Sequence, residues 1–192
     1  MTTFPARISG IVLAAGAGAR AGGPKALLRS CDAADGIAET WLSRSTGVLL
    51  ESGCDRVVVV LGAMAQLARP LVPSDPRIDV VVADLWELGL SASLRAGLGA
   101  VTGDAALITL VDLPDLPASV VSRVARDAAP ATLRLAVFNA RPGHPVLIGR
   151  DHWESLAASL AGDRGARAYL QANGAEKVEC ADLWDGLDRD FG

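Results

Sequence analysis

The sequence predicts a single α/β domain, three layers deep, with a mostly parallel sheet covered on both faces. Three observations predict it. Four runs are continuously apolar, where a strand with one wet face would alternate. Segments with helical spacing separate them, so strand and helix take turns along the chain. A loop made almost wholly of Gly and Ala follows the first run, at the place where open parallel sheets bind ligands.

In chain order, the strand runs are Ile8–Ala14, Arg56–Leu61, 78–83 and 105–111, with a fifth at 133–139. The helical patterns lie at 37–52, more weakly after Gly62, then at Leu90, Leu94 and Leu98, and after Pro117 with Val120, Val121 and Val124 on one side. Asp115 is placed to cap the helix entered at Pro117. Past Asn139 the pattern changes to a Pro/Gly turn and a short strand at 146–148. Asp151 and Glu154 then have the spacing of a capping box for a helix carrying Trp153, Leu156, Ala157 and Leu160 on one face. This last segment reads as a small C-terminal flap added to the sheet.

With 192 residues, 51% hydrophobic and 21% charged, the chain is long enough to bury one substantial core and far from disordered composition. A formal net charge of -4 without a Lys/Arg cluster argues against nucleic acid and anionic membranes as partners, and favours small molecules. Three cysteines, Cys31, Cys54 and Cys180, stand far apart, which points to neither a disulfide framework nor a thiolate metal site and fits a cytoplasmic location. The N-terminal apolar stretch imitates a short signal peptide, but Gly10 breaks it and it leads directly to Arg20 and Lys25. No run approaches the ~20 residues of a spanning helix.

The chemistry concentrates in "GIVLAAGAGARAGGPKAL", Gly10 to Leu27. Missing side chains at Gly16, Gly18, Gly22 and Gly23 let a backbone approach an anion closely, and Arg20 and Lys25 supply charge. A guanidinium grips phosphate oxygens with a planar fork and an ammonium acts as a compact charge, so together they suit a triphosphate. The stretch 16–21 also satisfies the dinucleotide fingerprint G-x-G-x-x-[GA], which expects an acidic residue at the end of a second strand about 20 residues on. At that distance Asp32, Asp35 and Glu39 sit in polar sequence, and the next strand starts only at Arg56. Downstream, Asp112 follows the fourth strand in "LVDLPDLP", where a hard oxygen ligand can hold Mg²⁺ against phosphate.

"LAAGAGARAGGPKAL" resembles the signature L-A-[AG]-G-x-x-x-R-x-G-x-x-K of the MobA-like nucleotidyltransferases, and most closely their molybdenum cofactor cytidylyltransferase branch. The resemblance implies a Rossmann-like sheet of the nucleotide-diphospho-sugar transferase type, with a nucleotide-binding half at about 1–112 and an acceptor-side half at about 113–192. It implies that Leu13, Ala14, Ala15, Gly16, Ala17, Gly18, Arg20 and Lys25 wrap a nucleoside triphosphate, CTP being hinted at by Ala15. It further implies that Asp112 holds Mg²⁺, and that Gly89 and Ser93 in "DLWELGLSASLRAGL" contact base and ribose, with Arg95 and Ser91 as substrate-facing neighbours. "RPGHPVLIG" and "LAGDRGAR" are similar to the branch's G-H-P-V and G-D-x-G-A-R, which puts His144 against a phosphorylated acceptor such as molybdopterin and leaves Asp163 and Arg167 as a local helix-start pair. A molybdoenzyme would then receive the product. The family closes with D-x-D-T-P-x-D; Asp188 and Asp190 echo its first part, so a second metal ligand stays open. Arg20, Lys25 and Asp112 carry the expected catalysis. Two alternatives stand beside it: a nicotinamide-dependent reductase resembling nicotine blue oxidoreductase, and a non-catalytic cofactor-binding protein on the same frame.

Overall fold

The computed structural model describes residues 6–18, 22–30 and 39–188. The four apolar runs become β1 (Ile8–Ala14), β2 (Arg56–Leu61), β3 (Ile78–Val82) and β4 (Ala105–Leu110), joined by β5 (Leu133–Phe138), β6 (Arg141–Gly149) and β7 (Glu176–Glu179). Seven strands form one sheet in the order β3-β2-β1-β4-β6-β5-β7. Pairings within β3-β2-β1-β4 are all parallel, β6 runs antiparallel to both its neighbours, and β7 is parallel to β5. The central strands are apolar at most positions because both their faces are covered. Val12 and Ala14 of β1 pack into one half of the core, while Ile11 and Leu13 pack into the other.

Helices α1 (Trp41–Glu51), α2 (Ala65–Ala68), α3 (Leu90–Ala100), α4 (Ala118–Ala125), α5 (Trp153–Ser159) and α6 (Arg167–Ala172) complete the layers. Trp41, Leu42 and Leu49 of α1 and Val120, Val121 and Val124 of α4 cover one face of the sheet. Leu94 and Leu98 of α3, Leu156 of α5 and Leu170 of α6 cover the other. Among the described residues no helix is long and apolar enough to cross a membrane. Cys54 and Cys180 are buried free thiols, and burial pushes the Cys54 thiol up to about 12; Cys31 lies outside the described residues.

Four local expectations change. α1 starts at Trp41, because the Thr40 hydroxyl accepts the Ser43 amide at 3.0 Å and fixes the cap there. Asp115 does not cap α4, whose first turn begins after Pro117; its carboxylate instead pairs with Arg44 at 3.2 Å. The Asp151–Glu154 capping box does not form, since a 3-10 turn at Arg150–His152 precedes α5 and His152 occupies the cap position without a side-chain bond. The segment expected as a flap contributes β6, nine residues long and inside the sheet, because its second half pairs with β4 over 146–149 while its first half already pairs with β5 at Arg141 and Pro142.

Leu107 is fully buried in the middle of β4, with core on both sides of the sheet. Leu107→Ala is expected to lower the unfolding free energy by about 2–5 kcal/mol, whereas Leu67→Ala at an exposed position of α2 changes it by less than about 0.5 kcal/mol. Urea unfolding followed by circular dichroism measures both.

Candidate functional site

β1 lies between β2 and β4, and its register sets Leu13 opposite Leu110. The Val111 amide donates to the Leu13 carbonyl at 3.1 Å, which holds the strand ends together just before they part. The Gly/Ala loop leaving β1 and Asp112 leaving β4 therefore emerge side by side at the carboxyl edge of the sheet. Between them opens a cleft of about 500 Å³. Its walls include the whole stretch from Leu13 to Gly18, then Lys25, Gly89, Ser93 and Asp112. All of these were expected there from the sequence. Arg20 lies outside the described residues.

Gly18 shows why the loop is built of glycine. Its φ is +59°, and a Cβ there would collide with the Gly23 carbonyl, while the Gly23 amide donates to the Gly18 carbonyl at 3.2 Å. Closed on itself by that bond, the loop passes through Pro24 into a single 3-10 turn, Lys25–Leu27. The turn aims Lys25 across the cleft, where its Nζ meets Asp112 Oδ2 at 3.1 Å with both side chains about four-fifths covered. Asp112 Oδ1 is buried and has no hydrogen-bond partner. An orphaned, buried carboxylate oxygen beside a basic side chain fits a hard divalent cation, which takes oxygen ligands and completes its shell with phosphate and water. Among the described residues no group of three or more metal-ligating side chains gathers.

The far wall comes from the segment before α3 and from the loop before α6. Gly89 has a φ of +103° and ends a 3-10 turn, Trp86–Leu88. A side chain there would strike the Asp163 carboxylate, and the Ser91 amide donates to the Gly162 carbonyl at 3.1 Å. This close docking brings Asp163 into the cleft, beside Trp86 and Glu87. Sequence reasoning missed Trp86 and Glu87. The helix-start pair expected between Asp163 and Arg167 gives way to a different arrangement: Asp163 lines the cleft and Arg167 lines a neighbouring cavity. For Trp86 and Glu87 the available signal was their place immediately before Gly89; for Asp163 it was the Gly on either side of "DR".

His144 lies in that neighbouring cavity, on β6, rather than in the cleft. Burial pushes its imidazole down to about 4, against a smaller upward pull from the Asp112 charge, so it is neutral at neutral pH. Arg95 is a correction. Its guanidinium donates to the carbonyls of Ala157 at 3.3 Å and Leu160 at 2.8 Å, satisfying the end of α5 and tying it to α3, so it faces structure instead of substrate. Ser91 is likewise buried in that junction. Asp188 is exposed and does not line the cleft with Asp112, and Asp190 lies outside the described residues.

The dinucleotide fingerprint also receives a structural answer. Its glycines should open a helix, yet the loop leads through Pro24 into one 3-10 turn. Its acidic partner should end the second strand, yet β2 runs into Gly62, Ala63 and Met64.

Comparison with known proteins agrees with this fold. Residues 10–178 match the family described as the MobA-like NTP transferase domain. The chain is 35% identical, over 95% of its length and 92% of the relative's, to nicotine blue oxidoreductase of Paenarthrobacter nicotinovorans. Rv0371c of Mycobacterium tuberculosis H37Rv superposes with a TM-score of 0.77 at 29% identity, covering 97% of this chain and 94% of that one. A further structure of Rv0371c, in complex with manganese, superposes with a TM-score of 0.70 at 29% identity over 91% and 87% of the two chains. A nucleotidyl transferase from Methanothermobacter, Mth528, gives a TM-score of 0.70 at 25% identity over 91% and 88%.

The displaced His144 equilibrium has a sign. Its folded value lies below the ordinary 6.5, so as pH falls below about 6.5 the unfolded chain takes up a proton that the folded chain refuses. Stability is therefore lost between about pH 6.5 and about pH 4, by up to roughly 3 kcal/mol, and levels off below, where both states are protonated. His144→Gln is expected to flatten this part of the profile, measured as the difference between the two proteins' urea midpoints across that range.

Proposed function

Because the chain belongs to the MobA-like NTP transferase family, we propose that it transfers a nucleoside monophosphate, CMP from CTP in the preferred reading, to a phosphorylated acceptor such as molybdopterin, releasing pyrophosphate. The observation that carries this reading is the Lys25–Asp112 pair across a cradle of Gly and Ala, with one Asp112 oxygen buried and unpartnered. An acceptor phosphate oxygen attacks the α-phosphorus and forms a P–O–P bond. The bond from the α-phosphorus to the bridging oxygen breaks, and pyrophosphate leaves with its electron pair. Such transfers need positioning and charge stabilisation more than a strong base.

In this reading the loop 15–18 holds the triphosphate by its backbone, and Lys25 neutralises charge that builds on the α-phosphate and the leaving group. Arg20 is assigned the same work from its place in the loop sequence. Gly89 and Ser93 stand against base and ribose, and Trp86 and Glu87 join them at the cleft wall. A divalent cation, Mg²⁺ here, would be held by Asp112 and supplies Lewis-acid polarisation of phosphate oxygens. His144, neutral and uncharged, offers one hydrogen bond to the acceptor side without repelling or attracting a proton. A molybdoenzyme would be the recipient of a finished cofactor.

A second reading is nicotinamide-dependent reduction, favoured by 35% identity to a relative named as an oxidoreductase. Against it stand the 3-10 turn where a dinucleotide loop opens a helix, and the lack of an acidic residue at the end of β2.

Calorimetric titration with CTP, GTP, ATP and NADPH in the presence of Mg²⁺ separates the two. Saturable binding of a triphosphate is expected, CTP tightest, with no NADPH binding; binding of none of the triphosphates overturns the transferase reading. Lys25→Met and Asp112→Asn are each expected to lower turnover by about 10²–10³-fold, read as pyrophosphate release once an acceptor is supplied.

A further inference from the structure

Beside the cleft lies a second cavity of about 260 Å³, walled by Leu94 of α3, Ile108 of β4, Leu135 of β5, Val146 of β6 and Leu170 of α6. Leu13, Leu90 and Leu110 line both volumes, so the two adjoin. Among the described residues two polar side chains line this cavity, those of His144 and Arg167. Arg167 marks its far end: with Leu135, Pro142 and Leu170 it also lines an outer trough that carries Lys177 and shares nothing with the cleft. Arg167 is exposed and its guanidinium has no hydrogen bond or ion pair with another described residue.

We propose that this cavity binds the body of the acceptor, and that this body, in place of the polar pterin named above, is a hydrophobic unit of one or two rings, or an aliphatic equivalent, with its phosphate at the cleft and a second anionic group at Arg167. The proposal rests on the nucleotidyl-transfer reading for the role of the phosphate. The wall decides the body. A sugar or polyol would turn most of its hydroxyls against Leu, Ile and Val side chains that cannot hydrogen-bond, with one imidazole, the Arg167 guanidinium and the short backbone stretches at Gly143 and Gly165 to satisfy them, and buried hydroxyls without partners are unfavourable. The size agrees, since 260 Å³ sits just below the ~300–1,000 Å³ of drug-sized sites. The distal charge follows from order along the groove: cleft, apolar cavity, Arg167, then Lys177. A guanidinium at the mouth of an apolar slot pairs with a carboxylate or phosphate and leaves an uncharged end unrewarded.

The test titrates the full chain, with and without saturating CTP and Mg²⁺, with three probes: 4-carboxyphenyl phosphate, phenyl phosphate and glucose 1-phosphate. The carboxylated aryl phosphate is expected to bind at least about tenfold more tightly than glucose 1-phosphate, and more tightly than phenyl phosphate. Arg167→Gln, at an exposed position where folding is not at stake, is expected to erase the advantage of the carboxylate and leave phenyl phosphate unchanged. Glucose 1-phosphate binding as well as the aryl phosphates, or a carboxylate advantage that survives Arg167→Gln, overturns the proposal. If CTP binds and no aryl preference is seen, the proposal falls and the transferase reading stands. If the aryl preference is seen and CTP does not bind, the transferase reading falls and the cavity remains an aryl phosphate site. If neither is bound, both fall.

Discussion

The parallel pairing of β1 with β4 is the constraint on which the rest of the site depends. A parallel sheet needs long crossovers between neighbouring strands, and here the chain spends β2, β3 and α3 before β4 returns to lie against β1. The result is that residues nearly a hundred positions apart leave the sheet at one edge. Hydrogen bonding from Val111 to Leu13 keeps the two strand ends in register up to the last residue before the loops diverge. Lys25 can then reach Asp112 from the loop that follows β1. Were β4 to pair elsewhere in the sheet, neither the cradle nor the carboxylate would have a partner.

Much of this was legible in the sequence, and the exceptions share a cause. β1 and β2 could be read to the residue because strands covered on both faces advertise themselves as unbroken apolar runs. β6 was read too short because its first half, Arg141 to His144, is polar or Pro/Gly-bearing and partly exposed, although its backbone already pairs with β5. β7, the sequence EKVE at the sheet's edge, has almost no apolar signature and exists by pairing with β5. Capping at Asp151 failed for a related reason, since a local pattern does not reveal the 3-10 turn that takes the chain into α5.

The candidate site divides in the same way. The loop and Asp112 are local facts, since an Asp following a buried strand projects at the sheet edge wherever the strand goes. Asp163, Trp86 and Glu87 reach the cleft only through the contact of Gly89 with the loop around Gly162, which no local spacing encodes. Arg95 failed in the opposite direction. Its neighbours in sequence made it look substrate-facing, while the open carbonyls at the end of α5 claim it in three dimensions. Unmet backbone groups compete for long cationic side chains, and an arginine one helical turn from a ligand is as close to such groups as to the ligand.

The Lys25–Asp112 contact has a thermodynamic corollary. As the pair stands, the ammonium meets one carboxylate oxygen, Oδ2, and leaves Oδ1 without a partner. In the transferase reading, a metal ion arriving alone at Oδ1 meets the ammonium's like charge at the neighbouring Oδ2, and a polyphosphate arriving alone must draw the ammonium away from its carboxylate; each lone visitor works against the resident pair. Arriving as a complex, the two trade partners with the protein in one exchange, cation for cation and anion for anion. In that reading, heterotropic coupling between metal and nucleotide follows from a single contact, and reciprocity requires that each raise the other's affinity by the same factor.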